Sequence, residues 1–325
     1  MTRCVRLAGW SGKGAPAPGQ AIADAVSQAV REALTKAGRA LDDVDMVVTC
    51  ASDLIDGAMV ATRSGIAGSY GRELMTVPSS AGHAFAAAAT QIESGAAQTV
   101  LLAGWGEGSK RAVRDSRIVE ADPFYTRPLG ADAAALAALQ AQRLFADGRL
   151  DSGRICAYRD RMAARATGAA SSDRLRWLKP HWADGAAALV LTAGNGGVAL
   201  LDLAASFEPY CPPPDRLDPA LWIAATGLAI PPLKALEIGA PTPFAEAVAA
   251  ADLLRREGWA ADDPRFNGSG GGAVAHFGPA TGLLRIIAVA SLLAQAERGA
   301  VGAAIDLAGP IGQAATVILL EAGHA

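Results

Sequence analysis

Two segments of the sequence predict helices without a polar face, and they constrain the fold more than any other feature. The first begins near Gly82, contains Phe85-Ala86-Ala87-Ala88-Ala89 and stops at Gly95, whereas the second begins at Gly282 and stops at Gly299. Arg285 is the exception within the second helix. A helix that is apolar on nearly every side has to be covered all round by other layers.

Each of these helices is followed by an apolar strand, which ends at Gly104 in the first unit and at Gly309 in the second. Two such helices cover each other when they pack together between two sheets. The repeat therefore predicts an α/β protein with a five-layer αβαβα fold and a pseudo-twofold axis. The turn Asn195-Gly196-Gly197 divides it into halves at 1–195 and 196–325, and the region at about 110–182 is less regular and more charged.

Composition excludes several classes of function. Hydrophobic residues make up 51% of the chain and the net charge is -3 without a basic run, which argues against nucleic-acid binding. No apolar stretch reaches the length of a membrane-spanning helix, and the N-terminus lacks the features of a signal peptide. The four cysteines show no paired spacing, so we expect no metal site and no disulfide framework in a cytoplasmic protein.

A glycine-rich stretch from Asn267 to Gly282 combines features of a ligand site. Glycine lets a backbone turn sharply and lets a ligand approach closely. The helix that begins at Gly282 presents free N–H groups to negative charge. His276 lies between the glycines and the helix, and histidine exchanges protons near neutral pH. The alternative is a glycine-rich connection with a packed histidine.

Several blocks of the sequence, in their order along the chain, resemble the thiolase superfamily, and the sterol-carrier-protein-type thiolases in particular. These blocks are Ser79-Ser80-Ala81-Gly82, Ala103-Gly104-Trp105-Gly106-Glu107-Gly108-Ser109, Asp122-Pro123-Phe124-Tyr125, Ala183-Asp184-Gly185-Ala186-Ala187, Asn267 to Gly282, and Gly309-Pro310-Ile311-Gly312-Gln313-Ala314. The resemblance implies the five-layer fold, a shortened lid in the region at about 110–182, a homodimer, and an acyl-CoA thioester as substrate with no covalently bound cofactor.

The two catalytic cysteines of that family are replaced. The nucleophile falls on Ser79, or on Ser80 if the register slips by one, and the second cysteine falls on Asp306. Pro310 stands in the C-terminal glycine turn and has no N–H group to offer an oxyanion. His276 is kept.

The resemblance implies His276, Ser79 and Asp306 as catalytic residues. Ser79 is either an acyl acceptor or a cap of the buried helix, and Asp306 is either a general base or a solvated residue at a strand end. The resemblance also implies a role for His276 in polarising a thioester carbonyl or stabilising an enolate. The glycines of the two turns are expected to line the CoA thioester site, and they are Gly271, Gly309 and Gly312.

The chemistry that remains is acyl transfer, or carbon–carbon bond cleavage or formation, on an acyl-CoA thioester without a cysteine nucleophile. The resemblance further implies a hetero-oligomer in which a small OB-fold partner with a zinc ribbon helps to bind the substrate. One alternative is a catalytically silent subunit beside an active thiolase paralogue. Another is a carrier of acyl-CoA or lipid.

Overall fold

A computed structural model of the 325-residue chain describes most of the sequence. The described residues are 4–13, 21–51, 65–78, 80–107, 123–165, 183–194, 197–208, 218–229, 231–256, 258–260, 263–273, 276 and 278–323. Ser79 and much of the predicted lid region lie outside them. The predicted boundary at residue 195 also lies outside them and stays a prediction.

The described chain contains nine strands and seven α-helices. The strands are β1 (Val5–Lys13), β2 (Met46–Cys50), β3 (Glu73–Thr76), β4 (Thr99–Glu107), β5 (Asp184–Ala193), β6 (Val198–Phe207), β7 (Ala235–Gly239), β8 (Val301–Ala308) and β9 (Ala314–Ala322). The α-helices are α1 (Ile22–Ala37), α2 (Ala81–Glu93), α3 (Ala133–Ala146), α4 (Ser152–Arg165), α5 (Pro219–Ala224), α6 (Pro243–Arg256) and α7 (Thr281–Leu293).

The strand order shows the repeat directly. The nine strands follow the order β3-β2-β4-β5-β1-β6-β9-β8-β7, so the second half repeats the first in reverse. In the first half β2 pairs in parallel with β3 and β4, and in the second β7 pairs in parallel with β8. A parallel bridge between Leu236 and Phe266 stands where the counterpart of β3 is expected. The two halves meet where β1 pairs with β6, through Arg6–Ala199 and Leu7–Val198.

The central layer consists of α2 and α7, the two helices predicted to lack a polar face. Phe85 and Ala88 of α2 and Leu283 and Ile286 of α7 are fully buried in one apolar cluster with residues from both halves of the sheet. The close contacts require small residues, because a β-carbon on Gly104 would lie 2.6 Å from a methyl group of Leu283. The predicted five-layer α/β architecture is confirmed.

The outer layers cover the remaining faces of the sheet. α1 buries Val26, Ala29 and Ala33 against strands of the first half and ends at Gly38, whose φ of 62° only glycine adopts readily. α5 and α6 cover the second half, and the apolar cluster there also contains residues of α3 and α4. Within the described residues, no helix is long and apolar enough to cross a membrane.

Contacts in the structure define the extent of three further elements. β1 continues to Lys13 because Ser11 to Lys13 pair with β5. β9 was not predicted, and it runs as a buried apolar strand beside β8. α2 begins at Ala81, next to the predicted start near Gly82, because the Ser80 side chain accepts a hydrogen bond from the His83 N–H group and caps the helix.

Candidate active site

Asp306 lies where β8 meets the start of α2. Its side chain is only 7% exposed, and its Oδ2 accepts a hydrogen bond of 2.6 Å from the Gly82 N–H group. The Ser80 side chain and the Ala81 N–H group also hydrogen bond to this carboxylate. The alternative of a solvated aspartate at the strand end is therefore wrong. The free N–H groups of a helix N-terminus favour a negative charge at this position.

Glycines from both central helices make room for the Asp306 side chain. A β-carbon on Gly82 would lie 2.9 Å from the Asp306 Cβ, and one on Gly282 would lie 2.6 Å from its Cγ. The carboxyl group is therefore enclosed between the first turns of α2 and α7. Strand register gives its position in the repeat, since Asp306 pairs with Gly239 as Gly104 pairs with Cys50. Asp306 is thus the counterpart of Gly104 in the internal repeat. The sequence instead pairs Gly104 with Gly309, as the ends of the two equivalent strands.

Burial decides the acidity of this carboxyl group. Desolvation raises the pKa of Asp306 to about 6, although hydrogen bonds from Gly82, Ser80 and Ala81 and the charge of Arg285 all favour the ionised form. The Thr316 hydroxyl, opposite Asp306 in the β8–β9 pair, is buried and has no hydrogen-bond partner among the described residues. A carboxyl group that titrates near pH 6 is suited to general acid–base chemistry.

The serine in contact with this carboxylate is Ser80. It is 3% exposed, and its hydroxyl both caps α2 and hydrogen bonds to Asp306. The capping role that the sequence suggested for Ser79 belongs to its neighbour. Ser79 itself lies outside the described residues, so its catalytic role stays a prediction.

His276 is buried, with 2% of its surface exposed, and both ring nitrogens contact the backbone. The Gly278 N–H group donates to Nδ1 at 3.1 Å, so Nδ1 carries no proton. The proton therefore lies on Nε2, which donates to the Ala240 carbonyl oxygen at 3.0 Å. The backbone oxygen of His276 accepts a hydrogen bond from the Ala183 N–H group, at the entrance to β5. His276 can polarise a substrate oxygen through Nε2 only if it exchanges its bond to Ala240.

The C-terminal glycine turn begins after the end of β8 at Ala308 and links β8 to β9. Gly309 and Gly312 have φ values of 83° and 79°, and the Gly312 N–H group donates to the Gly309 carbonyl oxygen at 3.0 Å. The Gln313 side chain packs on Gly309 and accepts a hydrogen bond from the Ile311 N–H group. This side chain fills the inside of the turn, where a β-carbon on Gly309 would collide with it.

Gly271 lies against a buried polar network that sequence reasoning missed. A β-carbon on Gly271 would lie 3.1 Å from the Tyr158 hydroxyl oxygen, and the side chain of Glu246 is closer still. The Tyr158 hydroxyl donates to Glu246 Oε1 at 2.6 Å, and the Glu246 carboxylate accepts from the Gly272 N–H group. Asn267 donates to Tyr158 at 2.6 Å and accepts from the Ile238 N–H group at 2.6 Å.

This network fixes the shape of the glycine-rich turn. Asn267 is fully buried and has a φ of 44°, a left-handed conformation that is uncommon for residues other than glycine. Burial raises the pKa of the Glu246 carboxyl group, and it also raises that of the Tyr158 hydroxyl well above its ordinary value. The signal in the sequence is Glu246 itself, a carboxylate within the otherwise apolar stretch of α6 from Phe244 to Ala251.

A second polar cluster, in which Glu237 and Arg285 are buried and Ser269 is exposed, joins the glycine-rich turn to α7. The Ser269 N–H group and hydroxyl donate to the Glu237 carboxylate at 2.8 and 2.6 Å. Arg285 donates from Nη1 to the Ser269 hydroxyl oxygen at 2.6 Å, and the same nitrogen lies 3.9 Å from Glu237 Oε2. Glu237 is a buried residue in the middle of β7.

Cysteine does not provide an obvious nucleophile among the described residues. Cys50 is completely buried at the end of β2, and burial, followed by the charge of Asp306, raises the pKa of its thiol well above the ordinary value. Cys4 and Cys156 are exposed. Cys211 lies outside the described residues.

Comparison with known proteins identifies the architecture. No protein-family model matches the sequence, and no curated protein matches it significantly. The structure is similar to the crystal structure of the Acat5 thiolase from Ascaris suum in complex with coenzyme A, with a TM-score of 0.72 and 15% sequence identity. The match covers 98% of this chain and 100% of the thiolase chain. The chain therefore has the thiolase fold, as its sequence predicted.

Proposed function

We propose that this protein binds an acyl-CoA thioester and acts on it without a cysteine nucleophile. The thiolase with the similar structure was crystallised with coenzyme A, which supports this class of ligand. The observation that carries the proposal is Asp306, a buried carboxyl group with a pKa of about 6 at the junction of the two central helices. In this proposal Asp306 is the acid–base group of the reaction.

Carbon–carbon bond cleavage by a retro-aldol step is the reaction that needs least from this site. Asp306 accepts the proton of a 3-hydroxyl group, the bond between C2 and C3 breaks, and C3 leaves as the carbonyl carbon of an aldehyde or ketone. The electron pair passes to the thioester enolate, which takes the proton back at C2 and becomes a shorter acyl-CoA. The reverse sequence forms the bond. Acyl transfer is the other possibility, and it requires a serine nucleophile such as Ser79.

The remaining site residues have binding roles in this proposal. His276 holds the thioester oxygen through Nε2–H after releasing Ala240, and Gly271, Gly309 and Gly312 border the path of the CoA chain. The chain works in the cytoplasm as a homodimer. It belongs to a hetero-oligomer with either a small OB-fold partner that has a zinc ribbon or an active thiolase paralogue.

A catalytically silent subunit is the second candidate, and the hydrogen bonds of His276 favour it. Both ring nitrogens are occupied by backbone groups, at Gly278 and Ala240. In addition, the Asp306 carboxylate already occupies the N–H group of Gly82, which a substrate oxyanion would otherwise use. A protein of this kind keeps the fold and stabilises a complex without turnover.

Calorimetry and product analysis distinguish the two candidates. The purified protein, alone and with any copurifying partner, is titrated with a panel of acyl-CoA and 3-hydroxyacyl-CoA thioesters. Mass spectrometry then follows the appearance of a shorter acyl-CoA. The enzyme predicts binding together with turnover that is lost in Asp306→Asn, which keeps a hydrogen-bond acceptor for Gly82. Binding without turnover indicates the silent subunit, and no binding in either state contradicts the proposal.

The matched control is Tyr70→Phe. Tyr70 is 89% exposed, and its substitution changes one hydroxyl group without touching the Asp306 site. This variant is expected to retain both binding and turnover. A loss of turnover in the control as large as that in Asp306→Asn would show that the assay responds to general damage.

A further inference from the structure

Arg285 is a charged side chain within an apolar central helix, and the proposed chemistry does not use it. Its side chain is 3% exposed. A guanidinium group removed from water costs several kcal/mol unless acidic partners compensate it. The position of Arg285 is therefore explained only by the charges around it.

The direct partners of Arg285 account for a small part of its hydrogen-bonding capacity. Nη1 donates to Ser269 at 2.6 Å and lies 3.9 Å from Glu237. Nε and Nη2 are buried and have no hydrogen-bond partner among the described residues. The group therefore acts on its surroundings mainly through its charge.

Geometry brings this charge close to Asp306. Arg285 lies three residues after Gly282 and on the same face of α7, and Gly282 packs directly on the Asp306 carboxyl group. The Arg285 Cγ and the Asp306 Oδ1 lie 3.4 and 3.1 Å from a single point, the position that a β-carbon on Gly239 would occupy. Asp306 and Arg285 are thus neighbours across a glycine.

Several titratable groups surround this pair. Arg285 lowers the pKa values of three buried acids, whereas burial raises each of them. The three acids are Asp306 on β8, Glu246 on α6 and Tyr158 on α4. Other groups that face the pair are Glu237 on β7 and Cys50 on β2, and the Ser80 and Thr316 hydroxyls lie beside Asp306.

We propose that Arg285 is a positioning residue that keeps the Asp306 carboxylate ionised at the N-terminus of α2 and links its charge to the glycine-rich turn through Ser269 and Glu237. This inference deepens the proposed function, in which Asp306 is the acid–base group. Removing the guanidinium group leaves Asp306 buried beside fewer compensating charges. Removing the Glu237 charge has the opposite effect, because Arg285 is then less neutralised.

The test titrates Asp306 in the full-length protein without substrate. Urea unfolding is measured from pH 4 to pH 8 for the wild type, Arg285→Met and Glu237→Gln. Each of these proteins is compared with the variant that carries Asp306→Asn in the same background. The difference within each pair isolates the titration of Asp306. We expect the folded-state midpoint to rise by about one pH unit in Arg285→Met and to fall in Glu237→Gln. Arg143→Met, which removes an exposed arginine from α3, is the charge control and is expected to leave the midpoint unchanged.

Two outcomes overturn the proposal. The first is a midpoint that is the same in the wild type and in Arg285→Met, and the second is a midpoint in Glu237→Gln that does not fall. If Arg285→Met does not fold, Arg285→Gln is measured in its place, because a fall of the midpoint in Glu237→Gln would also follow from the loss of a nearby negative charge alone. A merely structural role of Arg285 lowers the stability but leaves the midpoint in place. Turnover does not enter this measurement, so failure of the proposed function and failure of this inference are distinguished.

Discussion

The Asp306 carboxylate accepts a 2.6 Å hydrogen bond from the backbone N–H group of Gly82, a residue 224 positions earlier in the chain. This contact joins the last strand pair of the second half to the buried helix of the first. The Asp306 carboxylate therefore already occupies the anion-binding position at the N-terminus of α2. A ligand that places an oxyanion there has to compete with Asp306, or Asp306 has to be protonated first.

The stability of the protein is expected to depend on the titration of Asp306. Its pKa rises from 3.8 to about 6 on folding, so the folded state holds the proton more tightly than the unfolded state. Its contribution to stability is therefore present at low pH and is lost as pH rises through this window. Between pH 4 and pH 7, Asp306→Asn is expected to gain about 2 kcal/mol relative to the wild type. Urea unfolding at several pH values measures the free energy of unfolding of both proteins. A stability difference that stays the same at every pH would contradict the prediction.

Gly282→Ala is expected to displace the Asp306 side chain. The new β-carbon would lie 2.6 Å from the Asp306 Cγ, in a region that is closely packed on all sides. Overpacking of this kind costs about 1–3 kcal/mol. Thermal unfolding measures the effect. Gly65→Ala is the control, because a β-carbon there meets nothing within 4 Å, and an equal loss in both variants would sink the prediction.

Tyr158→Phe is expected to destabilise the glycine-rich turn. The change removes the hydroxyl group that donates to Glu246 and accepts from Asn267, and it leaves buried polar groups without their partner. Such a loss costs about 1–3 kcal/mol. Tyr70→Phe, at an exposed position, is expected to change stability by less than about 0.5 kcal/mol. Chemical denaturation of the two variants side by side gives the comparison, and equal stabilities would contradict the network.

Cysteine alkylation is expected to separate the thiols by burial. Cys4 and Cys156 are exposed and react with iodoacetamide in the folded protein, whereas Cys50 is buried and its raised pKa keeps it as a thiol. Peptide mapping by mass spectrometry reports each cysteine separately. Labelling of Cys50 at the rate of Cys156 in the folded state would show a reactive thiol beside Asp306 and would reopen a cysteine mechanism.

The architecture was predictable because its cause is visible in the sequence. Helices without a polar face have to lie between layers, and Phe85 and Ile286 are buried in the same central cluster. The resemblance also pointed to Asp306 as a site residue, although a sequence does not reveal that burial raises its pKa. The sequence left open whether Ser79 or Ser80 occupies the site. Only the structure shows that Ser80 caps the helix and contacts Asp306.

The buried networks were not predictable in the same way. Tyr158, Glu246 and Asn267 come from three distant segments, and their periodicities contain no information about mutual contact. Glu246 was visible only as a charge in an apolar helix, which predicts a partner without naming it. His276 was expected to face the substrate, and the structure shows its two ring nitrogens bonded to Gly278 and Ala240.

The pairing of β1 with β6 involves only Arg6–Ala199 and Leu7–Val198 among the described residues. So short a ladder contributes few hydrogen bonds, and the cohesion of the two halves depends on α2 and α7. A gene fragment that encodes either half alone would produce a polypeptide whose central helix exposes one side of its apolar surface to water. Each half is therefore expected to depend on the other for solubility, and the repeated unit is not expected to fold as a self-sufficient domain.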